Sequence, residues 1–483
     1  MELEDILYRH FGYHSFRPGQ KEVIEQIVVG RDVIALLPTG MGKSLCYQLP
    51  GYVFNGTVLI VSPLLSLMQD QVTQMKQFGE KRVVALNSFL TFQQKQYALN
   101  YLHQYRFIFI SPEMLLQKQV YERLNEVNLS LVVVDEAHCI SQWGFDFRPD
   151  YLRIGELFHG VNRPPILALS ATATNKVLGD IQNYLKMDEP FHYIHSVDRK
   201  NIHLSRRQFQ RQEDKVDWII EHVLETEGPG IIYTQSRTKA ENISNRLIQV
   251  GVQAASYHAG KESVDRQFIQ QQFIEGSIQW IVATNAFGMG VHKSDVRQVI
   301  HHSLPSNIAN YMQEIGRAGR DGKDSLAILL YEDGDENFAK MLATDDLPTD
   351  HHIALYENYR FKNENPFIMF QNGEISETAF RVLDYWMNEQ PTDEVQRLLH
   401  KMRIEKMQAV DEMMEIVQTK DCMRNVLVHY FGQQLTERPN NCCECCGIIV
   451  KEIIEPRKLH EISTKPDSWK DRIQSILIGR KNK

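Results

Sequence analysis

The strongest constraint on the fold is a repeated pattern over roughly the first 330 residues: short, almost wholly apolar runs separated by longer mixed stretches. "DVIALLP", "TVLIVSP", "RFIFISP", "LVVVDE" and "PILALSAT" make up a first block. Their lack of polar alternation means that both faces of each strand must be covered. Crossover helices on both sides of a parallel sheet provide that cover. A second block, "GIIYTQS", "AASYHAG", "QWIVATNAF" and "QVIHHSLP", repeats the arrangement. Between the blocks lies the polar "HSVDRKNIHLSRRQFQRQEDK", which predicts a crossing between two lobes near residue 205. Past residue 340 the period changes. "AFRVLDYWMNEQ" and "VQRLLHKMRIEKMQAVDEMMEIVQTK" place apolar residues at helical spacing. The expected fold class is therefore α/β, with parallel-sheet domains at 1–205 and 206–340 followed by an α-helical region at 341–450. A short tail at 451–483 holds 9 Lys/Arg against 5 Asp/Glu.

A chain of 483 residues exceeds what one core organises, which agrees with that division. The formal net charge of −8 does not draw the molecule as a whole to polyanions, so nucleic acid would need local basic grooves. No apolar run approaches the ~18 residues needed to span a membrane. The opening "MELEDILYRHFGYHSF" lacks the basic and apolar regions of a signal peptide. A cytosolic location is expected, and disulfides are rare there. Four of the seven cysteines sit in "NCCECCG", which reads first as metal ligation and second as oxidation.

Three stretches carry chemistry. "LLPTGMGKSLCYQLP" follows a strand and should open a helix. Within Thr39, Gly40, Met41, Gly42, Lys43, Ser44 and Leu45, the glycines let backbone N–H groups face phosphate oxygens. Lys43 would neutralise the β- and γ-phosphates, and Ser44 would offer a hydroxyl to Mg²⁺. Leu37 stands where the general phosphate-loop pattern has its first glycine, and the bland reading is a Gly-rich turn. "LVVVDEAHC" puts Asp135 and Glu136 at the end of a buried strand, where an NTPase holds its metal ion and polarises the attacking water. Taken alone, the pair could be a solvated turn. "YMQEIGRAGRDG" spaces Arg317 and Arg320 three apart among glycines, as arginine fingers or as a basic helix end.

In this order, "FGYHSFRPGQ", "PTGMGKS", "DEAH", "SATAT", "ATNAFGMG" and "QEIGRAGRDG" make the chain resemble the RecQ family of superfamily-two DNA helicases. The likeness runs over about residues 1–450 and is greatest to the short RecS-type members. The resemblance implies two RecA-like lobes that bind ATP and Mg²⁺ between them, and phosphate loops of that superfamily do not require the glycine that Leu37 replaces. It assigns Tyr13, Arg17 and Gln20 to adenine selection, and Gln313 to a place beside the nucleotide. His138, Ser170 and Thr172 would relay nucleotide state to the DNA face. "SQWGFDFRPDY" resembles the aromatic-rich loop that senses single-stranded DNA, with Trp143, Phe145, Phe147 and Arg148. Bases stack on such rings with little sequence preference, and packing beneath the loop is the alternative. Met289, Thr284 and Asn285 would line the cleft or the DNA path, and His292 departs from the usual ribose-side residue.

The family's helical zinc platform carries one early cysteine and three later ones. "KDCMRNVLVHYFGQQ" and "NCCECCG" match it as Cys422, Cys442, Cys443 and Cys446, a closed structural Zn²⁺ site, with Cys445 either spare or a substitute ligand. Cys46 and Cys139 read as core thiols. "LYENYRFKNENPFIMFQNGEISETAFRVLDYW" implies an expanded helical element before the platform. The 37 residues after Cys446 are too few for a winged helix of ~100 residues or a further HRDC domain. The family implies 3′→5′ movement on single-stranded DNA and unwinding of duplex DNA in repair or recombination. The expected partners are single-stranded and forked DNA and other DNA replication or repair proteins, with no membrane, and the expected state is a monomer. It further implies a nucleoid-associated cytoplasmic location in a bacterium. The competing readings are a superfamily-two RNA helicase and a DNA translocase with little strand separation. Trp143→Ala is expected to keep basal ATP turnover and lose stimulation by single-stranded DNA. Unchanged stimulation in a coupled ATPase assay would favour packing.

Overall fold

The computed structural model describes residues 2–63, 65–87, 90–141, 148–160, 163–288 and 293–457. Its first sheet contains β1 (Val33–Leu36), β2 (Thr57–Val61), β3 (Val83–Leu86), β4 (Phe107–Ile110), β5 (Leu129–Val134), β6 (Ile166–Ser170) and β7 (Phe191–Ile194), in the order β3-β4-β2-β5-β6-β1-β7. Every pairing in it is parallel. The second sheet contains β8 (Ile202–Phe209), β9 (Gly230–Tyr233), β10 (Ala254–Tyr257), β11 (Trp280–Ala283), β12 (Gln298–His301) and β13 (Ser325–Glu332), in the order β10-β11-β9-β12-β13-β8. It too is parallel throughout. The apolar runs picked out in the sequence form nine of these strands, and most are buried along their whole length because helices cover both faces. The α/β class stands as expected.

The division of the chain differs from the boundaries expected from sequence. Residue 205 lies inside β8, which belongs wholly to the second sheet and pairs with β13 from Ile202 to Phe209. Polar side chains had hidden this strand. Arg206 spends its guanidinium on the Ile416 and Thr419 carbonyls at 2.7 and 2.6 Å, so its charge is no sign of a loop.

The region 341–450 is helical, but it does not form one core. Helices Asp350–Phe361, Ile368–Gln371 and Glu377–Glu389 bury Ile353, Tyr356, Met369 and Leu383 in the cluster that holds Leu59, Val132 and Tyr151 of the first lobe. The 27-residue helix Thr392–Gln418 is about 40 Å long and crosses the seam. Val395, Leu399 and Met402 pack in that first cluster, whereas Val410, Met413 and Ile416 pack with β9, β11 and β12 residues of the second lobe. The tail also begins later than residue 451. Ile454 is buried against Val223 and Trp280, and Glu227 donates its N–H to the Glu455 carbonyl at 3.0 Å.

Among the described residues no helix is long and apolar enough to cross a membrane. Leu383→Ala, at a fully buried site in the expanded segment, is expected to destabilise the protein by about 2–5 kcal/mol in urea denaturation. A cost under ~1 kcal/mol would show that this helix is not part of the first-lobe core.

Candidate nucleotide cleft and metal centre

β6 lies between β1 and β5, so three adjacent parallel strands deliver their carboxyl ends to one place. That edge is where α/β sheets bind ligands. After β1, Leu37 donates its N–H to the Ser170 carbonyl at 3.0 Å, and the chain then turns through Gly40 (φ +91°) and Gly42 (φ +76°). Both glycines are needed for φ, and side chains from elsewhere approach both closely. A Cβ on Gly42 would come within 2.7 Å of Gln20 Nε2, and one on Gly40 within 3.3 Å of Arg320 Cγ. The helix that follows is broken at Leu49, where Pro50 cannot donate to the preceding turn.

Lys43 Nζ lies 3.5 Å from Glu136 Oε1, and both side chains are largely buried. Glu136 follows β5 in a left-handed conformation (φ +48°), unusual for a non-glycine residue and common at functional sites. Its second oxygen is 3.4 Å from His138 Nδ1, which also lies 2.9 Å from Ser170 Oγ, and Ser170 in turn donates to the Thr172 carbonyl at 3.0 Å. The expected relay residues are thus connected side by side. Burial raises the Asp135 carboxyl above its ordinary range, and the neighbouring Glu136 charge adds to this. Burial works the same way on Glu136, but Lys43, His138 and Arg317 outweigh it and hold that carboxyl low. One of the two acids is therefore fixed as an anion, a suitable orienting base for water.

The facing lobe contributes the two arginines. The Arg320 aliphatic stem packs against Gly40, and burial beside Arg317 pushes its pKa down to about 10. Arg317 is buried and donates to the Gly288 carbonyl. Gln313 is buried in the same seam, and Thr39 Oγ1 donates to the Gly316 carbonyl at 3.1 Å. Gln20 and Arg17 stand at the loop, and both donate to its backbone. Gln20 Nε2 donates to the Met41 and Gly42 carbonyls at 2.9 and 3.1 Å, and Arg17 Nη1 to the Gly40 carbonyl at 2.6 Å. Tyr13 is exposed. Gln20 and Arg17 brace the phosphate loop, a role the sequence did not reveal.

Trp143, Phe145 and Phe147 lie outside the described residues, as do Met289 and His292. Arg148 closes the aromatic segment, and its guanidinium donates to the Pro63 carbonyl at 3.0 Å and lies 3.6 Å from Glu113. In this structure it pins two loops of the first lobe together. Thr284 and Asn285 line the large cleft between the lobes, together with Thr234, Arg237 and Asn307.

The sulfurs of Cys422, Cys442, Cys443 and Cys446 all lie within 4.8 Å of one another. Their closest separations, 3.6, 3.7 and 3.9 Å, match the ~3.8 Å edge of a tetrahedron with Zn–S bonds of ~2.3 Å. The donor set therefore fits a structural Zn²⁺. Cys445 points elsewhere, toward the Thr419 carbonyl at 3.7 Å and Arg206 Nη2 at 3.6 Å. Cys46 and Cys139 are buried, as core thiols should be.

A phosphate loop and acidic strand end on one parallel sheet, closed by two arginines from another, define a two-lobed ATP-dependent helicase motor. Comparison with known proteins agrees. Residues 17–181 match the DEAD/DEAH box helicase family, 214–322 the helicase conserved C-terminal domain, and 381–447 the RecQ zinc-binding family. Over 99% of its length the chain is 41% identical to the probable ATP-dependent DNA helicase RecS of Bacillus subtilis (strain 168), and it covers 98% of that relative. It is 38% identical over 92% of its length to the ATP-dependent DNA helicase RecQ of Pasteurella multocida (strain Pm70), and covers 62% of that protein. Among solved structures, the helicase Lhr of Mycobacterium smegmatis bound to single-stranded DNA and AMP-PNP superposes with a TM-score of 0.55 at 18% identity, over 86% of this chain and 57% of that one. The DUF1998 helicase MrfA bound to DNA gives 0.59 at 19%, over 71% of this chain and 50% of that one. These two likenesses concern the fold. The chain belongs to the RecQ family of ATP-dependent DNA helicases.

Because Cys445 lies outside the sulfur cluster, Cys445→Ser is expected to keep its metal and Cys442→Ser to lose it. Metal analysis of the two purified variants checks this, and the opposite result would exchange the two ligands.

Proposed function

We propose that this chain hydrolyses Mg²⁺-bound ATP in the seam between its lobes to move 3′→5′ along single-stranded DNA and unwind forked duplexes, in repair or recombination. The observation that carries the reading is the convergence of Lys43, Glu136 and the finger arginines on one seam. Lys43 Nζ is buried with the Glu136 carboxylate at 3.5 Å and no hydrogen bond, so its donors remain for phosphate oxygens. Lys43 would bind the β- and γ-phosphates; Asp135 and Ser44 would hold Mg²⁺, which supplies charge neutralisation at the phosphates when bound. Glu136 would orient the water that attacks the γ-phosphate and take up its proton. Arg317 and Arg320 would stabilise the charge that builds on the transferring group. Tyr13, Arg17 and Gln20 would flank the adenine, with Gln313 and the remaining loop residues Thr39 to Leu45 around the phosphates.

Cys422, Cys442, Cys443 and Cys446 would hold Zn²⁺ as a structural cross-link between the helix Met423–Tyr430 and β8. Trp143, Phe145, Phe147 and Arg148 would report strand binding to the adjacent acids. Support for DNA as the track comes from the DNA helicases that resemble this chain over most of its length.

Lys43→Ala is expected to abolish ATP turnover and leave the circular dichroism spectrum unchanged; normal turnover would refute the site. For the wild-type protein, partial duplexes with a 3′ or a 5′ single-stranded overhang, in DNA and in RNA, read direction and substrate together. The 3′-overhang DNA should be unwound fastest, and preference for RNA would favour the RNA-helicase reading.

A further inference from the structure

We infer that Arg199, in the segment joining the two sheets, is a positioning residue for hydrolysis, and that Arg424 ties its placement to the cysteine cluster. Arg199 Nη2 donates to the Gly319 carbonyl at 2.7 Å and to the Ala318 carbonyl at 3.3 Å. Those are the two residues between Arg317 and Arg320. Its Nη1 donates to the Thr39 carbonyl at 3.4 Å, at the start of the phosphate loop. One guanidinium therefore touches both walls of the nucleotide seam, and its planar fork fixes their separation in a way a lysine could not. Apolar side chains, among them Val197, Ile202, Leu204 and Ile315, pack around this place as well. A cavity of about 40 Å³, lined by these apolar groups and by Thr39, Arg199 and Gln313, leaves the packing between the walls incomplete, and the Arg199 hydrogen bonds span them directly.

Arg199 is itself held from behind. Arg424, only 3% exposed, donates to the Arg199 carbonyl at 2.9 Å, to the Ile202 carbonyl and to the Asp198 carboxylate. A buried guanidinium needs acceptors for its donors, and that of Nε is Cys442 Sγ at 3.2 Å. A metal-bound thiolate is a fixed acceptor, whereas a free thiol can rotate away. The path therefore runs from the sulfur cluster through Arg424 and the backbone of 198–202 to the loop between the two fingers. On this view the cysteine cluster sets the turnover rate through a chain of hydrogen bonds, in addition to cross-linking its own helices.

The inference rests on Arg317 and Arg320 facing the triphosphate, so Lys43→Ala is assayed alongside. The test compares Arg199→Gln, Arg424→Lys and the double variant of the full chain for kcat and KM for ATP, metal content and thermal melting. Arg199→Gln should lower kcat about ten- to a hundredfold, the range expected for a transition-state group displaced by an ångström or less. Its KM, metal content and melting point should stay near wild type. Arg424→Lys should lower kcat with the metal retained, and the double variant should be no slower than Arg199→Gln alone. Turnover of Arg199→Gln within about twofold of wild type, or losses that multiply in the double variant, would overturn the proposal. An Arg424→Lys protein that loses its metal or its fold would also overturn it, because Arg424 would then be a structural strut. Normal turnover by Lys43→Ala would instead sink the nucleotide-site reading.

Discussion

An ammonium and a carboxylate held 3.5 Å apart and nearly out of water are the constraint around which the first lobe is built. Burying two charges costs several kcal/mol each, and ion pairs without good hydrogen bonds do not recover that cost. Lys43 Nζ and Glu136 Oε2 both lack hydrogen-bond partners. The pair persists because its backbone is fixed from elsewhere. β1, β6 and β5 are neighbours in a buried parallel sheet, and the Leu37–Ser170 bond ties the phosphate loop to the end of the strand between them. The rest of the fold supports this unsatisfied centre, which is what a site for a polyanion and its cation requires.

The second constraint is mechanical. The chain crosses between the lobes near residue 200, and the helix Thr392–Gln418 then runs across the seam with one end in each core. Lys176–Glu405 and Lys340–Asp411 pin that helix to either side, at 3.7 and 2.6 Å. Two connections restrict the relative motion of the lobes to rotations that both can follow. The two places where the chain passes from one lobe to the other are the middle of this helix and the linker near 198–202. The hydrogen bonds of Arg199 and Arg424 lie at the second of these places, and the expanded helices before the platform enlarge the first-lobe anchor of the long helix.

The legible parts were those with a local pattern. Fully buried strands announced themselves by composition, and the motifs at Lys43, Asp135 and Arg317 by glycines and charges set beside apolar runs. β8 and β3 were less visible. Both lie at sheet edges, and β8 carries Arg206 and Arg207, whose polarity reads as loop until its partners on the helix Thr392–Gln418 are known. β13, apolar and buried, was readable in principle. Arg199 and Arg424 gave no local signal, since their significance lies in acceptors up to 160 and 226 positions away.

The sequence alone determined that strands buried on both faces would form parallel sheets and that a phosphate loop would follow the first of them. Those are consequences of short-range chemistry: periodicity and backbone freedom at glycine. Tertiary structure decided that the C-terminal helices divide between two cores, that Gln20 and Arg17 brace the loop from beneath, and that Cys445 turns away. These outcomes depend on which distant groups compete for the same buried volume or the same hydrogen bond, and no stretch of chain carries that information by itself.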